Sequence, residues 1–166
     1  MTMCVLVVAL LGLGSFNAST QTNATQTSMV GTWKLDLAKS SLGSGPAPKV
    51  ITLTILKDTR ELTSWRLDIV EAKGESMSFS WIGPLDGSLQ PLKDSKGQVL
   101  VQEGLTRDKE GALLRHGESS TDGSSFDGRA TLSADGNTLT DVVTSKSKDG
   151  QTLQETMVYH RVTAGK

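Results

Sequence analysis

Cysteine and histidine are nearly missing from this 166-residue chain, which contains one Cys and two His. A disulfide framework and a Cys-rich zinc site both need several of these residues, so the sequence excludes both. The two histidines, His116 and His160, belong to no HExxH or HxH pattern. We therefore expect no bound metal and no cofactor.

An excess of charge of one sign is also missing, because 17 basic residues face 18 acidic ones. The basic residues are dispersed along the chain, whereas a nucleic-acid interface needs them clustered. A G-x-S-x-G nucleophile motif, a G-x-G-x-x-G motif and a phosphate-binding P-loop are absent as well. We therefore predict no nucleic-acid partner and assign no catalytic residue.

The first 33 residues contain no charged side chain. Their apolar run, residues 4–13, is too short to span a bilayer comfortably, and a polar run of small residues follows it. This order is typical of a secretory signal, although no Lys or Arg precedes the apolar run, and a short membrane anchor is the alternative. We predict that residues 1–28 are a signal peptide and flexible lead-in, cleaved between Ala18 and Ala24. The protein would then be secreted or periplasmic, with no stable membrane span and no cysteine, since Cys4 is removed.

Residues 29–166 are expected to form one domain. Apolar and polar residues alternate with period two through most of it, as in Met77, Phe79 and Trp81 separated by serines. Nine strands are predicted, over residues 30–36, 49–56, 63–69, 75–82, 98–106, 112–118, 125–132, 138–145 and 153–162. Pairs such as Asp86-Gly87 and Lys96-Gly97 stand between them and predict antiparallel hairpins.

An up-and-down meander of eight to ten strands exposes two edges unless it closes into a β-barrel. The all-β prediction is therefore an antiparallel barrel, with a two-sheet β-sandwich as the alternative.

Two local irregularities are also expected. Residues 35–42 are predicted to hold one short helical turn, and Asp127-Gly128 interrupts a strand pattern in the manner of a bulge or bend.

Gly31-x-Trp33, at the start of the first predicted strand, resembles the G-x-W signature of the lipocalin or calycin group. More specifically, residues 31–49 and 132–162 look like a group of small secreted bacterial lipocalin-like proteins of largely uncharacterised function. The resemblance implies a barrel in which Trp33 plugs one end and Arg161, near the last strand, packs across it. It implies no catalytic residues, and the middle of the chain matches only loosely.

Candidate ligand-binding residues follow from the strand phases. Trp65, Met77, Phe79 and Trp81 form an apolar inner wall if their strands turn that face inward. Polar residues share the same phase in later strands, namely Glu103, Arg115, Asp141, Glu155 and Tyr159. Inward charges would have to be paired, because an unpaired buried charge is very costly. A register shift of one residue would instead send them all to solvent.

Three functions remain open at this stage. The first is a monomeric, non-enzymatic protein that binds a small hydrophobic or amphipathic ligand inside the barrel. The second is a barrel packed with side chains that acts as a structural or protein-interaction module of the cell envelope. The third is a hydrolase or isomerase-type enzyme that uses Glu155, Asp141 or His160 as acid–base groups.

Overall fold

The computed structural model describes residues 28–43, 45–59, 61–119 and 121–163. Apart from Ser28, the predicted signal segment lies outside the described residues. The described chain forms ten strands: β1 Gly31–Leu35, β2 Val50–Asp58, β3 Thr63–Val70, β4 Ser76–Gly83, β5 Gln90–Asp94, β6 Val99–Arg107, β7 Leu113–Ser119, β8 Ser125–Leu132, β9 Thr138–Lys146 and β10 Thr152–Arg161. In the part of the chain described, no helix is long and apolar enough to cross a membrane.

The ten strands form one closed antiparallel barrel in which each strand pairs with the next. The closing pair is β1 with β10, which places Trp33 opposite Arg161 and Leu35 opposite Tyr159. The other side of β1 pairs with β2. The predicted barrel is thus confirmed, and the β-sandwich alternative is wrong, because β1 and β10 satisfy each other's free edge.

One strand, β5, was not predicted. Its sequence, QPLKD, is short and contains Pro91, a residue that cannot donate a ladder hydrogen bond and usually argues against a strand. The structure tolerates Pro91 because β5 pairs only over short stretches, and the register with β6 shifts between Leu92 and Lys93. Leu92 nevertheless points into the barrel and contributes to its interior.

The predicted helical turn at residues 35–42 is wrong. Leu35 ends β1, and the chain then makes a tight turn in which the Lys39 amide donates to the Asp36 carbonyl. The next residues return to the sheet, since Ser41 forms an isolated bridge with Thr156 of β10. The barrel's need to pair β10 overrides the weak local helical preference.

The hairpin turns follow the predicted glycine positions. Between β5 and β6, the Gly97 amide donates to the Asp94 carbonyl, and the Asp94 amide donates to the Gln98 carbonyl. Gly97 has φ +81°, which residues with a side chain rarely adopt. The same positive φ occurs at the glycines of the other predicted turns, Gly87, Gly111, Gly123, Gly136 and Gly150.

The bulge expected at Asp127-Gly128 is wrong, since β8 keeps regular register with both neighbours through these residues. Besides the register shift between β5 and β6, the described strands are irregular in β2, between Ile55 and Lys57, where Leu56 is 60% exposed. Gly128 occupies an inward-facing position of a regular strand.

Strand direction defines two ends of the barrel. The segment Ser28–Val30, the end of β10 and the connections after β2, β4, β6 and β8 all lie at one end, here called the closed end. The connections after β1, β3, β5, β7 and β9 lie at the other, here called the open end. Two inward-phase residues near the open end, Met77 and Leu153, remain 41% and 48% exposed.

Candidate ligand cavity

The barrel encloses a cavity of about 360 Å³. Its wall is mainly apolar because the inward positions of neighbouring strands carry large aliphatic and aromatic residues. Six of them lie on five strands: Leu53, Trp65, Leu67, Phe79, Phe126 and Met157. The alternation of β-strand side chains thus produces a continuous apolar lining.

Two charged residues, Arg115 and Asp141, interrupt this lining on one side, and Glu103 contacts Arg115 next to it. The Arg115 guanidinium donates from Nε to Glu103 Oε1 at 2.7 Å and from Nη1 to Asp141 Oδ2 at 2.5 Å. The exposed fractions of the side chains are 22% for Arg115, 0% for Glu103 and 8% for Asp141. These three residues, here called the charged triad, come from β6, β7 and β9, and their charges are paired.

Burial disfavours the charged form of Arg115, but the two carboxylates outweigh this effect and raise the pKa of the guanidinium above its ordinary value. Aromatic rings flank the same group, with the Trp65 and Phe126 centroids 5.8 and 5.4 Å from Arg115 Cζ. These cation–π distances and the two ion pairs fix the guanidinium in place.

A glycine makes room for the aromatic ring beside the charged triad. Gly117 lies opposite Phe126 in the register, and a Cβ there would stand 2.1 Å from the Phe126 ring. Gly128 lies opposite Arg115, but a Cβ there would stand at an ordinary contact distance of 3.5 Å from both Arg115 Cβ and Asp141 Oδ1. The position of the Phe126 ring therefore requires Gly117, whereas Arg115 does not require Gly128.

The charged triad is not balanced. With both carboxylates ionised it holds two negative charges and one positive charge. Within the described residues, Glu103 Oε2 and Asp141 Oδ1 are buried and have no hydrogen-bond partner. Tyr159 also lines the cavity, and burial together with the nearby Asp141 charge raises the pKa of its hydroxyl, against the opposing effect of Arg115. The cavity wall thus has a surplus of acceptors and of negative charge.

The closed end is filled by Trp33, which is fully buried. The Arg161 guanidinium stacks on its ring at 4.1 Å and donates to the carbonyls of Gly136, Val30 and Ser28. Trp33 and Arg161 therefore lie together at the closed end.

Met29 was not predicted as part of this end. Its carbonyl accepts from Trp33 Nε1 at 2.9 Å, and its buried side chain lines the cavity. Its amide donates to Asp58 Oδ2 at 3.0 Å, and Asp58 forms an ion pair with Arg107. Met29 precedes the alternating pattern of β1, so periodicity gave no signal for it.

Five of the other predicted ligand residues line the cavity: Trp65, Phe79, Arg115, Asp141 and Tyr159. Glu103 and Trp81 are buried and keep the inward phase of their strands, but they do not line the cavity. Glu103 holds Arg115, and Trp81 Nε1 donates to the Glu103 carbonyl at 3.0 Å. Phe126 was missed because Gly128 broke the alternation of β8.

Met77 and Glu155 depart from the predicted cavity. Both keep the inward phase of their strands, but neither is among the residues that line the cavity. Met77 lies near the open end, whereas Glu155 pairs with the cavity-lining Val143 and turns its carboxylate to a loop. Glu155 Oε1 accepts from the Gly43 amide at 2.7 Å and thereby holds the connection between β1 and β2. Strand phase predicted which way these residues face but not how far along the barrel they lie.

Both histidines lie on the outer surface. His116 forms a hydrogen bond of 2.9 Å with Asp127, and this bond raises the pKa of the His116 ring. His160 Nε2 lies 3.2 Å from Asp36 Oδ2. Across the described residues, no group of three or more His, Cys, Asp or Glu side chains could hold a metal ion.

No family model matches the chain, and a search of the curated proteins found no significant match.

Proposed function

We propose that this chain is an exported, non-enzymatic binding protein that holds one small, mostly apolar molecule inside its barrel. The observation that carries the proposal is the cavity of about 360 Å³ with its apolar wall. Small-molecule sites are concave, largely apolar and contain a few fixed polar groups, typically in volumes of about 300–1,000 Å³. The charged triad supplies such fixed polar groups.

The two alternative functions are less well supported. A barrel acting only as a structural module needs an interior filled by side chains, whereas this interior leaves space for a ligand of modest size. The enzyme hypothesis needs acid–base groups that meet at one site. Asp141 lies in the wall, Glu155 binds a loop amide near the open end, and His160 lies on the outer surface.

Membership of the lipocalin-like group and export from the cytoplasm are parts of the same proposal. The closed barrel, the stacking of Arg161 on Trp33 and the plugged end support a lipocalin-like arrangement. With Trp33 and Met29 filling the closed end, a ligand would enter from the open end.

The test compares two substitutions on β9. Val143 lines the cavity and its neighbour Val142 faces outward, so Val143→Phe fills the cavity and Val142→Phe serves as the matched control. We expect the wild-type chain to bind the neutral fluorescent probe N-phenylnaphthylamine. Val143→Phe should weaken this binding by at least about tenfold, as loss of well-packed ligand surface does, and Val142→Phe should not.

Native mass spectrometry of gently purified protein provides an independent readout, with a co-purified small molecule as the expected result. Circular dichroism confirms that both variants fold. If no probe binds and no small molecule co-purifies, or if both variants bind the probe equally well, the proposed function is wrong.

A further inference from the structure

We propose that the ligand is a hydrophobic amine, bound as its ammonium cation against the Asp141 side of the charged triad. This inference rests on the proposed binding function and adds the chemical class of the ligand. It derives from the surplus of negative charge and of unpartnered acceptors in an otherwise apolar wall.

The charge balance is the first step. Glu103 and Asp141 are both at least nine-tenths buried, and one guanidinium lies between them. A surplus buried negative charge is costly unless a proton or a cation neutralises it, and a bound cation does so without protonating a carboxylate. The described residues that line the cavity include one cationic side chain, Arg115, which is already engaged by both carboxylates. A ligand cation would bring the net charge of the site to zero.

The hydrogen-bond balance gives the same result. Asp141 lines the cavity, and its Oδ1 is a buried acceptor without a partner among the described residues. The Tyr159 hydroxyl donates to Met157 Sδ at 3.4 Å. Its oxygen can therefore still accept a hydrogen bond beside the same wall. An ammonium group carries only donors, up to three of them, and therefore complements these acceptors.

An anionic head group fits less well. A ligand carboxylate would place a third negative charge beside one guanidinium. Trp65 and Phe126 flank that guanidinium at cation–π distances, and their rings leave it less open to a third anion. Phe79 and Tyr159 also line the cavity, and the face of an aromatic ring attracts a cation rather than an anion.

The experiment uses three amphiphiles with the same chain: octylamine, octanol and octanoate. Each displaces N-phenylnaphthylamine from the full wild-type protein at neutral pH, where the amine is charged. We expect octylamine to bind at least about tenfold more tightly than octanol, as a buried charge pair provides, and octanoate to bind most weakly.

Two near-isosteric variants assign the effect to the charged triad. Asp141→Asn and Glu103→Gln each remove one negative charge and should reduce the preference for octylamine over octanol by about tenfold. Asp127→Asn is the matched control because it removes the same charge from the outer face of β8, where Asp127 is exposed. It should leave the preference unchanged.

The outcomes separate this inference from the proposed function. If the probe binds but octylamine and octanol displace it equally, or octanoate displaces it best, the amine assignment is wrong and the binding function stands. The amine assignment is also wrong, and the binding function still stands, if Asp127→Asn changes the preference for octylamine over octanol as much as Asp141→Asn does. If neither the probe nor any amphiphile binds, both proposals are wrong.

Discussion

Trp33 shows how one side chain closes an end of the barrel. Its ring is fully buried, its Nε1 donates to the Met29 carbonyl, and Arg161 covers its outer face. Arg161 in turn donates to three backbone carbonyls, those of Gly136, Val30 and Ser28. Removal of the indole therefore leaves both a void and an arginine without its aromatic partner.

We expect Trp33→Ala to lower the free energy of unfolding by about 3–5 kcal/mol, the usual cost of truncating a large buried side chain. Chemical denaturation monitored by circular dichroism measures the change. Lys34→Ala is the control because Lys34 is the exposed neighbour on β1 and should have little effect. Equal stability of the two variants would show that Trp33 does not close the barrel.

At the scale of the element, strand β6 depends on a glycine that makes a close backbone contact. A Cβ on Gly104 would stand 2.4 Å from the Gly87 carbonyl oxygen, in the connection between β4 and β5. The Gly87 amide donates to the Leu105 carbonyl at 2.9 Å, which holds this connection against β6. Backbone cannot move aside as a flexible side chain can.

Gly104→Ala should therefore destabilise the protein by about 1–3 kcal/mol or more, as overpacking does. The matched control is Gly128→Ala, another glycine inside a strand, where the nearest atom would be at an ordinary contact distance of 3.4 Å. Thermal unfolding of both variants measures the difference. A Gly104→Ala variant that melts at or above the temperature of Gly128→Ala would contradict the proposed backbone contact.

The strands that sequence predicted well are those with a long alternating pattern, such as β2 and β4, because one face of each is buried in the barrel. Strand β5 was missed since five residues containing Pro91 hold too little pattern. Gly128 was misread as a bulge because a glycine inside a strand can serve either irregular backbone or close side-chain packing. The register and the side chains of the neighbouring strands decide between these two roles of a glycine.

The same limit applies to the candidate site. Strand phase put Glu103, Arg115, Asp141 and Glu155 on one set of faces, and pairing of their charges was expected only if those faces turned inward. Phase did not predict which of them would meet, because contacts across the interior depend on the register of every strand. Glu155 binds a loop amide and takes no part in the charged triad. Met29 required the folded closed end itself, since its role comes from a backbone carbonyl.

At the scale of the whole molecule, the strength of pairing is uneven around the barrel. Strands β8 and β9 pair over eight residue positions, whereas β4 and β5 pair over two, Phe79 with Asp94 and Ser80 with Lys93. Closure makes each strand depend on both neighbours, so the short seam between β4 and β5 is where the barrel is easiest to open.

We expect backbone amides of β5 to exchange with deuterium at least about tenfold faster than those at the centre of β9, because local opening requires less free energy where fewer hydrogen bonds break. Exchange followed by NMR gives the rate for each residue. Uniform protection around the barrel would contradict a weak β4–β5 seam.

Both ends of the described chain, Ser28 and Thr163, adjoin strands that meet at the closed end, where Arg161 donates to the Ser28 carbonyl. A linker or affinity tag attached directly before Ser28 or directly after Thr163 would therefore join the barrel at its closed end. Immobilised through such an attachment, the barrel would keep its open end away from the surface.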